Sequence, residues 1–326
     1  MDASEATTVM AIDVGVTNVK AGLVDRNGRI NHFSARPAPL DKGAAGVADV
    51  LVQVCRDVLG EAGLKTKDLA AVGCCTPGCV NPETGVIVAS ATPGWVGIDV
   101  KEPLQASFDR PVTVEGDGIA AVLSVYTFGP NRGHDNLLAI TIGTGISCGY
   151  ILDGKIVRGA GQAALEAGHM PLFFQGRPCS CGRRGCWEAH AGGGALRSLL
   201  REYQSAGHQL PGLPEELAEL AMASHETAIS IWEEQGVLFG LGIAVLLNVL
   251  NPKTVVLGGG VMRSWSLFKK SLLKTAREKA LPRNSEAAIV CASDPDRIPL
   301  LGAAVAAINA QGPAGFFSSS QAHCGR

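Results

Sequence analysis

The sequence carries no excess charge of either sign: 28 Lys and Arg stand against 30 Asp and Glu, a formal net charge of −2. That balance gives no electrostatic case for nucleic acid or for an anionic membrane as a partner. No uninterrupted apolar run approaches the about 18 residues that a membrane-spanning helix needs, so no span is expected. The richest apolar stretch, Val237–Leu250, reads instead as a buried core helix. Met1–Val9 has no basic segment followed by an apolar core, which predicts no secretory leader. No short-period repeat is visible. What remains, 46% hydrophobic and 18% charged residues, is the composition of an ordinary globular protein. At 326 residues the chain is long enough for two lobes, each with its own core.

Cysteine is plentiful, at ten. Cys55, Cys74, Cys75, Cys79, Cys148, Cys291 and Cys324 lie mostly in apolar surroundings, the pattern of reduced thiols in a cytoplasmic protein. Cys179, Cys181 and Cys186 differ: they form C-x-C-x4-C, with Gly182 and Gly185 allowing a tight return of the chain. Three thiolates do not complete a tetrahedral zinc site, and His169 is the nearest fourth candidate. A closed Cys3His site is structural rather than catalytic. Glu166 and Glu188 bracket it, so a metal there would fix two carboxylates relative to the histidine ring. Three ordinary thiols in a glycine-rich turn, or one disulfide with a spare cysteine, are the alternatives.

The run G-x4-E-x-G-H ending at His169, followed by C-x-C-G-x2-G-C-x-E ending at Glu188, resembles the signature of the ROK family of sugar kinases and sugar-responsive repressors. The resemblance implies an α/β, two-lobed actin-like ATPase (ribonuclease H-like) fold with a structural zinc site at His169, Cys179, Cys181 and Cys186. It places an N-terminal lobe at 1–118, a C-terminal lobe at 119–300, and a closing helix with a mobile Gly/Ser-rich tail at 301–326. It further implies self-association as a homodimer or homotetramer.

The other motifs fit that frame. Val9–Val14 is an apolar strand leading into Asp13-x-Gly15-x-Thr17, then an alternating strand and an Asn27-Gly28 hairpin turn. In the family this is a phosphate-cradling hairpin. Backbone groups from Gly15 through Thr17 to Asn18 would face phosphate, with Asp13 near magnesium. Val16 stands where the family has glycine. Gly43–Ala62 carries a helical apolar stripe, and Leu69–Cys75 reads as a buried strand ending in Thr76-Pro77-Gly78. In the family the segment at Gly78 lies along the sugar. Ser90–Trp95 resembles the family's N-x-P-G-W segment, with Ala91 in place of asparagine and Thr92 among the expected sugar contacts.

Pro111–Val114 is a further strand, delivering Gly116 and Asp117. By resemblance Asp117 is the catalytic base; a helix N-cap is its other reading. Gly116 replaces an asparagine that contacts sugar hydroxyls. Asn136–Ile142 runs into Gly143-Thr144-Gly145, which resembles the second phosphate turn, with Ser147 and Cys148 replacing glycines. Gly258-Gly259-Gly260 follows the strand Thr254–Leu257 and matches the family's run beside adenosine.

The implied activity is an ATP- and Mg2+-dependent transfer of the γ-phosphate to the primary (C6) hydroxyl of a hexose. Glu166, His169 and Glu188 would hold the sugar. Because Ala91 and Gly116 remove two side-chain amides, an amino sugar such as kanosamine or an N-acetylhexosamine is expected to outperform glucose. A glucokinase, a cyclitol kinase and a catalytically impaired sugar-binding protein are the alternatives. The first phosphate motif begins so early that no preceding winged helix-turn-helix is expected, which disfavours the repressor branch.

Overall fold

A computed structural model describes residues 8–39, 43–129 and 133–311. The chain divides into two compact units, Met1–Phe128 with Pro299–Arg326, and Gly129–Ile298. The expected tail from 312, with Cys324, lies outside the described residues, as does most of the expected leader-free N-terminus.

In the first unit, strands β1 (Thr8–Val14), β2 (Asn18–Val24) and β3 (Ile30–Pro37) form an antiparallel meander. Helix α1 (Gly43–Ala62) follows, then β4 (Leu69–Thr76). A small hairpin of β5 (Cys79–Val80) and β6 (Ile87–Ala89), then helix α2 (Lys101–Phe108), lead to β7 (Val112–Gly116) and helix α3 (Asp117–Phe128). The sheet order is β3-β2-β1-β4-β7, with β4 parallel to both β1 and β7. Helix α1 buries the predicted stripe, Val47, Leu51, Val54 and Val58, against one face of this sheet. α3 stays whole with this unit, past the boundary expected after Gly118.

The second unit repeats the pattern. β8 (Asn136–Ile142), β9 (Ile146–Leu152) and β10 (Lys155–Ile156) form a meander, and the order β10-β9-β8-β11-β12 adds two parallel strands, β11 (Thr254–Gly258) and β12 (Ala288–Cys291). Helices α4 (Trp187–Ala191), α5 (Gly193–Ser205), α6 (Pro214–Met222), α7 (Glu226–Leu250) and α8 (Trp265–Lys279) complete it. The last helix, α9 (Ile298–Asn309), lays Leu300, Ala303, Ala304 and Ala307 on the first unit's sheet beside Val9, Ala11 and Ala71. Its small residues allow close approach: a β-carbon on Gly73 would stand 2.0 Å from the Ala303 carbonyl oxygen.

Helix α7 corrects one sequence expectation, its starting point. The helical segment is one continuous element of 25 residues rather than a core helix beginning at Val237. By length and composition it is also apolar enough to cross a membrane, the one such helix among the described residues. One face is nevertheless built into the unit: Trp232, Phe239, Ile243 and Leu247 are buried there. Gly236 and Gly240 let it press onto α8, where a β-carbon on Gly240 would meet the Leu272 carbonyl oxygen at 2.7 Å. Glu233 and Glu234 face outward, interrupting the apolar run without ending the helix.

Candidate functional site

In the first unit the expected residues gather along one edge of the sheet. Asp13 on β1 stands beside Cys75 on β4, which stands beside Glu115 on β7. Thr76 pairs with Gly116, and Asp117 follows at the start of α3. Asp13, Thr76 and Asp117 thus mark the carboxyl ends of three adjacent parallel strands, the edge where open α/β sheets bind ligands. The Thr76 hydroxyl is fully buried without a hydrogen-bond partner.

The turn after β1 is tight. Gly15 donates its N–H to the Asn18 carbonyl at 2.9 Å, and a β-carbon on Gly15 would lie 2.9 Å from that same oxygen. Thr17 and Asn18 are exposed, and the Thr17 carbonyl accepts the N–H of Ala38. Burial pushes the Asp13 carboxyl up, partly offset by the Lys20 ammonium 3.5 Å away and the Cys75 thiol, whose Sγ donates to Oδ1 at 3.7 Å. Lys20 was missed from the sequence. Its signal was there: a two-residue-period hairpin places it directly opposite Asp13.

Asp117 Oδ1 accepts the N–H of Gly118 at 2.8 Å, which orients the carboxylate at the helix start. Gly78 has φ +91°, and a β-carbon there would stand 2.3 Å from the Ala89 carbonyl oxygen, so this turn requires glycine on steric grounds alone. Its own carbonyl lies 3.0 Å from where a Gly116 β-carbon would be. Gly116 therefore faces backbone at close range, beyond the mere loss of an amide. The Thr92 N–H donates to Ser90 Oγ at 3.1 Å, and the Thr92 carbonyl accepts the N–H of buried Trp95.

In the second unit the two glycine turns come together at the ends of the adjacent parallel strands β8 and β11. Gly143 donates its N–H to the Gly145 carbonyl at 3.0 Å, and Thr144 projects at the tip. Gly259, at φ +90°, sits so near Ile142 that a β-carbon would lie 2.4 Å from the Ile142 carbonyl oxygen. Gly258 lies against Ile298, and Gly260 beside Asp296, which is paired with Arg263. The Gly192–Gly194 run, unremarked in the sequence, also belongs here: the N–H groups of Gly193 and Gly194 donate to the Gly143 and Thr144 carbonyls, both at 2.9 Å.

The cysteine cluster forms within the same unit. Gly182 and Gly185 adopt φ +83° and +76°, which permits the reversal between Cys179 and Cys186. The donor atoms of His169, Cys179, Cys181 and Cys186 all lie within 4.8 Å of one another. Cys181 Sγ is 3.6 Å from Cys186 Sγ, and Cys179 Sγ is 3.6 Å from His169 Nδ1. Zn–S bonds of about 2.3 Å and Zn–N bonds of about 2.0–2.1 Å give tetrahedral edges of about 3.5–3.8 Å, so the donor set fits a metal ion. The other ring nitrogen of His169, Nε2, faces Glu166 Oε2 at 4.0 Å. Burial raises the Cys179 thiol and pushes Cys186 to about 12. At Cys181 burial is outweighed by hydrogen bonds from the Arg183 backbone and the neighbouring thiols, and the thiol falls below its usual range. Glu188, on α4, accepts the N–H of Ile146 at Oε2, 2.8 Å away.

Known proteins share this architecture. The glucokinase of Streptomyces griseus, solved with glucose and AMPPNP, superposes with a TM-score of 0.84 at 28% identity, covering 94% of this chain and 100% of that one. The ROK hexokinase of Thermus thermophilus gives 0.71 at 32% identity, covering 93% and 99%. The xylose repressor of Bacillus subtilis is 28% identical over 81% of this chain and 67% of its own length. The ROK family model matches residues 9–310, and on that match, over nearly the whole chain, the protein belongs to the ROK family.

Proposed function

We propose that this protein is an ATP-dependent sugar kinase that phosphorylates the primary hydroxyl of a hexose or hexose-like substrate. The observation that carries the reading is the position of Asp117, a carboxylate at the end of β7 in the same strand-end row as Asp13 and its glycine turn. The likeness to the Streptomyces griseus glucokinase over that protein's full length supports it.

In this reading the backbone of the Gly15–Asn18 and Gly143–Gly145 turns holds the nucleotide phosphates, and the Gly258–Gly260 run lies by the adenosine. Bound magnesium, held near Asp13, would neutralise charge on the phosphates. Glu166, His169 Nε2 and Glu188 Oε1 hold the sugar. Asp117 takes the proton of the sugar hydroxyl as its oxygen bonds to the γ-phosphorus, and ADP leaves with the bridging electron pair. The cluster of His169, Cys179, Cys181 and Cys186 would hold zinc, which would fix the orientation of the His169 ring.

For substrate, Ala91 and Gly116 support an amino sugar, kanosamine or an N-acetylhexosamine, over glucose. An unpaired sugar hydroxyl in a dry site costs about 1–3 kcal/mol. The deciding experiment is a coupled ADP-release assay with MgATP over glucose, glucosamine, kanosamine, N-acetylglucosamine, N-acetylmannosamine and a valienol-type cyclitol. Turnover on an amino sugar above that on glucose, reduced about 10²- to 10⁴-fold in Asp117→Asn, is expected. Glucose as the best substrate would overturn the substrate assignment and leave a glucokinase. The xylose repressor likeness favours a second reading, a sugar-responsive binding protein. Sugar binding without turnover on any panel member would select it.

A further inference from the structure

Both arms of the cysteine–histidine cluster end on one residue, Ile146, the first after the Gly143–Gly145 turn. From the Cys186 arm, Glu188 Oε2 accepts the Ile146 N–H at 2.8 Å. From the His169 arm, Gly168 packs on the same residue, where a β-carbon would stand 2.4 Å from the Ile146 carbonyl oxygen. The Glu188 carboxylate also fills the space beside Gly145, since a β-carbon there would lie 2.2 Å from Oε2. A few residues on, Gly193 and Gly194 hold the Gly143 and Thr144 carbonyls. The cluster, α4 and the start of α5 therefore grip each residue of the turn from Gly143 to Ile146.

We propose that Glu188 is a positioning residue for the nucleotide: it transmits the order of the metal cluster to the Gly143–Gly145 turn, so that loss of either the carboxylate or the metal loosens phosphate binding. This rests on the kinase reading of that turn. The physical reason is preorganisation. Backbone donors bind phosphate well only if they are already aimed, and an N–H held by a side-chain oxygen constrains the peptide that follows them. The role needs an acceptor oxygen rather than a charge, so a glutamine amide can fill it.

The test compares Glu188→Ala with Glu188→Gln by two readouts. One is MgATP affinity measured calorimetrically without sugar, which separates this role from any sugar contact. The other is amide hydrogen exchange of residues 143–149. Glu188→Ala is expected to weaken MgATP binding about tenfold or more and to speed exchange in that segment. Glu188→Gln should stay within about threefold of the wild type in both. Removing metal from the wild type with a chelator should reproduce the faster exchange, with metal content measured alongside. Unchanged exchange at 143–149 in a folded Glu188→Ala protein would overturn the proposal whatever the nucleotide result, and so would equal losses in both variants. A wild type that binds no MgATP would instead overturn the kinase reading, while the exchange comparison still decides the coupling.

Discussion

His190 Nε2 accepts the backbone N–H of Arg177 at 3.0 Å while its ring stacks on Phe173 with centroids 4.1 Å apart. One imidazole thereby ties the loop carrying the cysteines to helix α4. The bond requires the neutral ring, and burial, with the Arg177 charge adding to it, lowers the His190 pKa below 6.5. A histidine lowered in the folded state takes up its proton more readily when unfolded, so stability falls as pH drops below about 6.5 and levels off below the folded pKa. Urea unfolding midpoints between pH 8 and pH 5 should show this decline, and His190→Gln should flatten it. An unchanged slope in the variant would assign the acid sensitivity elsewhere.

Trp187 lies across Gly242 of α7, where a β-carbon would stand 2.0 Å from Cε2 of the indole, and its Nε1–H donates to the Leu238 carbonyl at 2.9 Å. Gly242→Ala therefore forces an overpacked core, with an expected loss of about 1–3 kcal/mol. Because Trp187 sits between Cys186 and Glu188, the variant should also retain less metal after gel filtration. Full metal retention with full stability would show that α7 yields to the indole.

Gly259→Ala combines two penalties. Its φ of +90° strains any residue with a β-carbon, by about 1–3 kcal/mol, and that carbon would collide with the Ile142 backbone. A lowered melting temperature with MgATP affinity reduced more than sugar affinity is the expected pattern.

Asp117→Asn keeps the size of the side chain and removes the base. The expected loss in kcat is about 10²- to 10⁴-fold, with an unaltered melting temperature, since Asp117 Oδ1 makes a bond to the Gly118 N–H that an amide oxygen can retain. A variant with wild-type turnover would remove Asp117 from the mechanism.

The purified protein should hold about one zinc per chain. Cys179 and Cys186 lie above the usual thiol range when no metal is bound, so filling the site must expel their protons. Metal affinity is accordingly expected to rise with pH, read by competition with a chromogenic chelator at pH 6.5, 7.5 and 8.5. Affinity independent of pH would mean that the thiols do not ligate.

Local chemistry fixed much of this protein without help from the tertiary structure. The 3.6-residue stripe of α1, the apolar strands β1, β4 and β8, and the reversal at Gly182 and Gly185 follow from periodicity and backbone sterics, which neighbours in sequence decide. So does the meeting of the three cysteines, because eight residues and two glycines leave the thiols little room to part, whereas His169, ten residues upstream, joins them only in the folded structure. Other features were settled by pairings between distant segments. The extent of α7 escaped the sequence because Glu233 and Glu234 break the apolar run yet fall on the face turned to solvent. At Gly116 the sequence shows only the missing amide, and the Gly78 carbonyl that stands close by comes from the neighbouring strand's turn. Glu188 finds the N–H of a residue 42 positions earlier, a contact set by where α4 packs on β9 and by nothing in either local sequence. Composition and spacing determine which elements form and which chemistry each can offer; only the packing of those elements decides which backbone group each side chain meets.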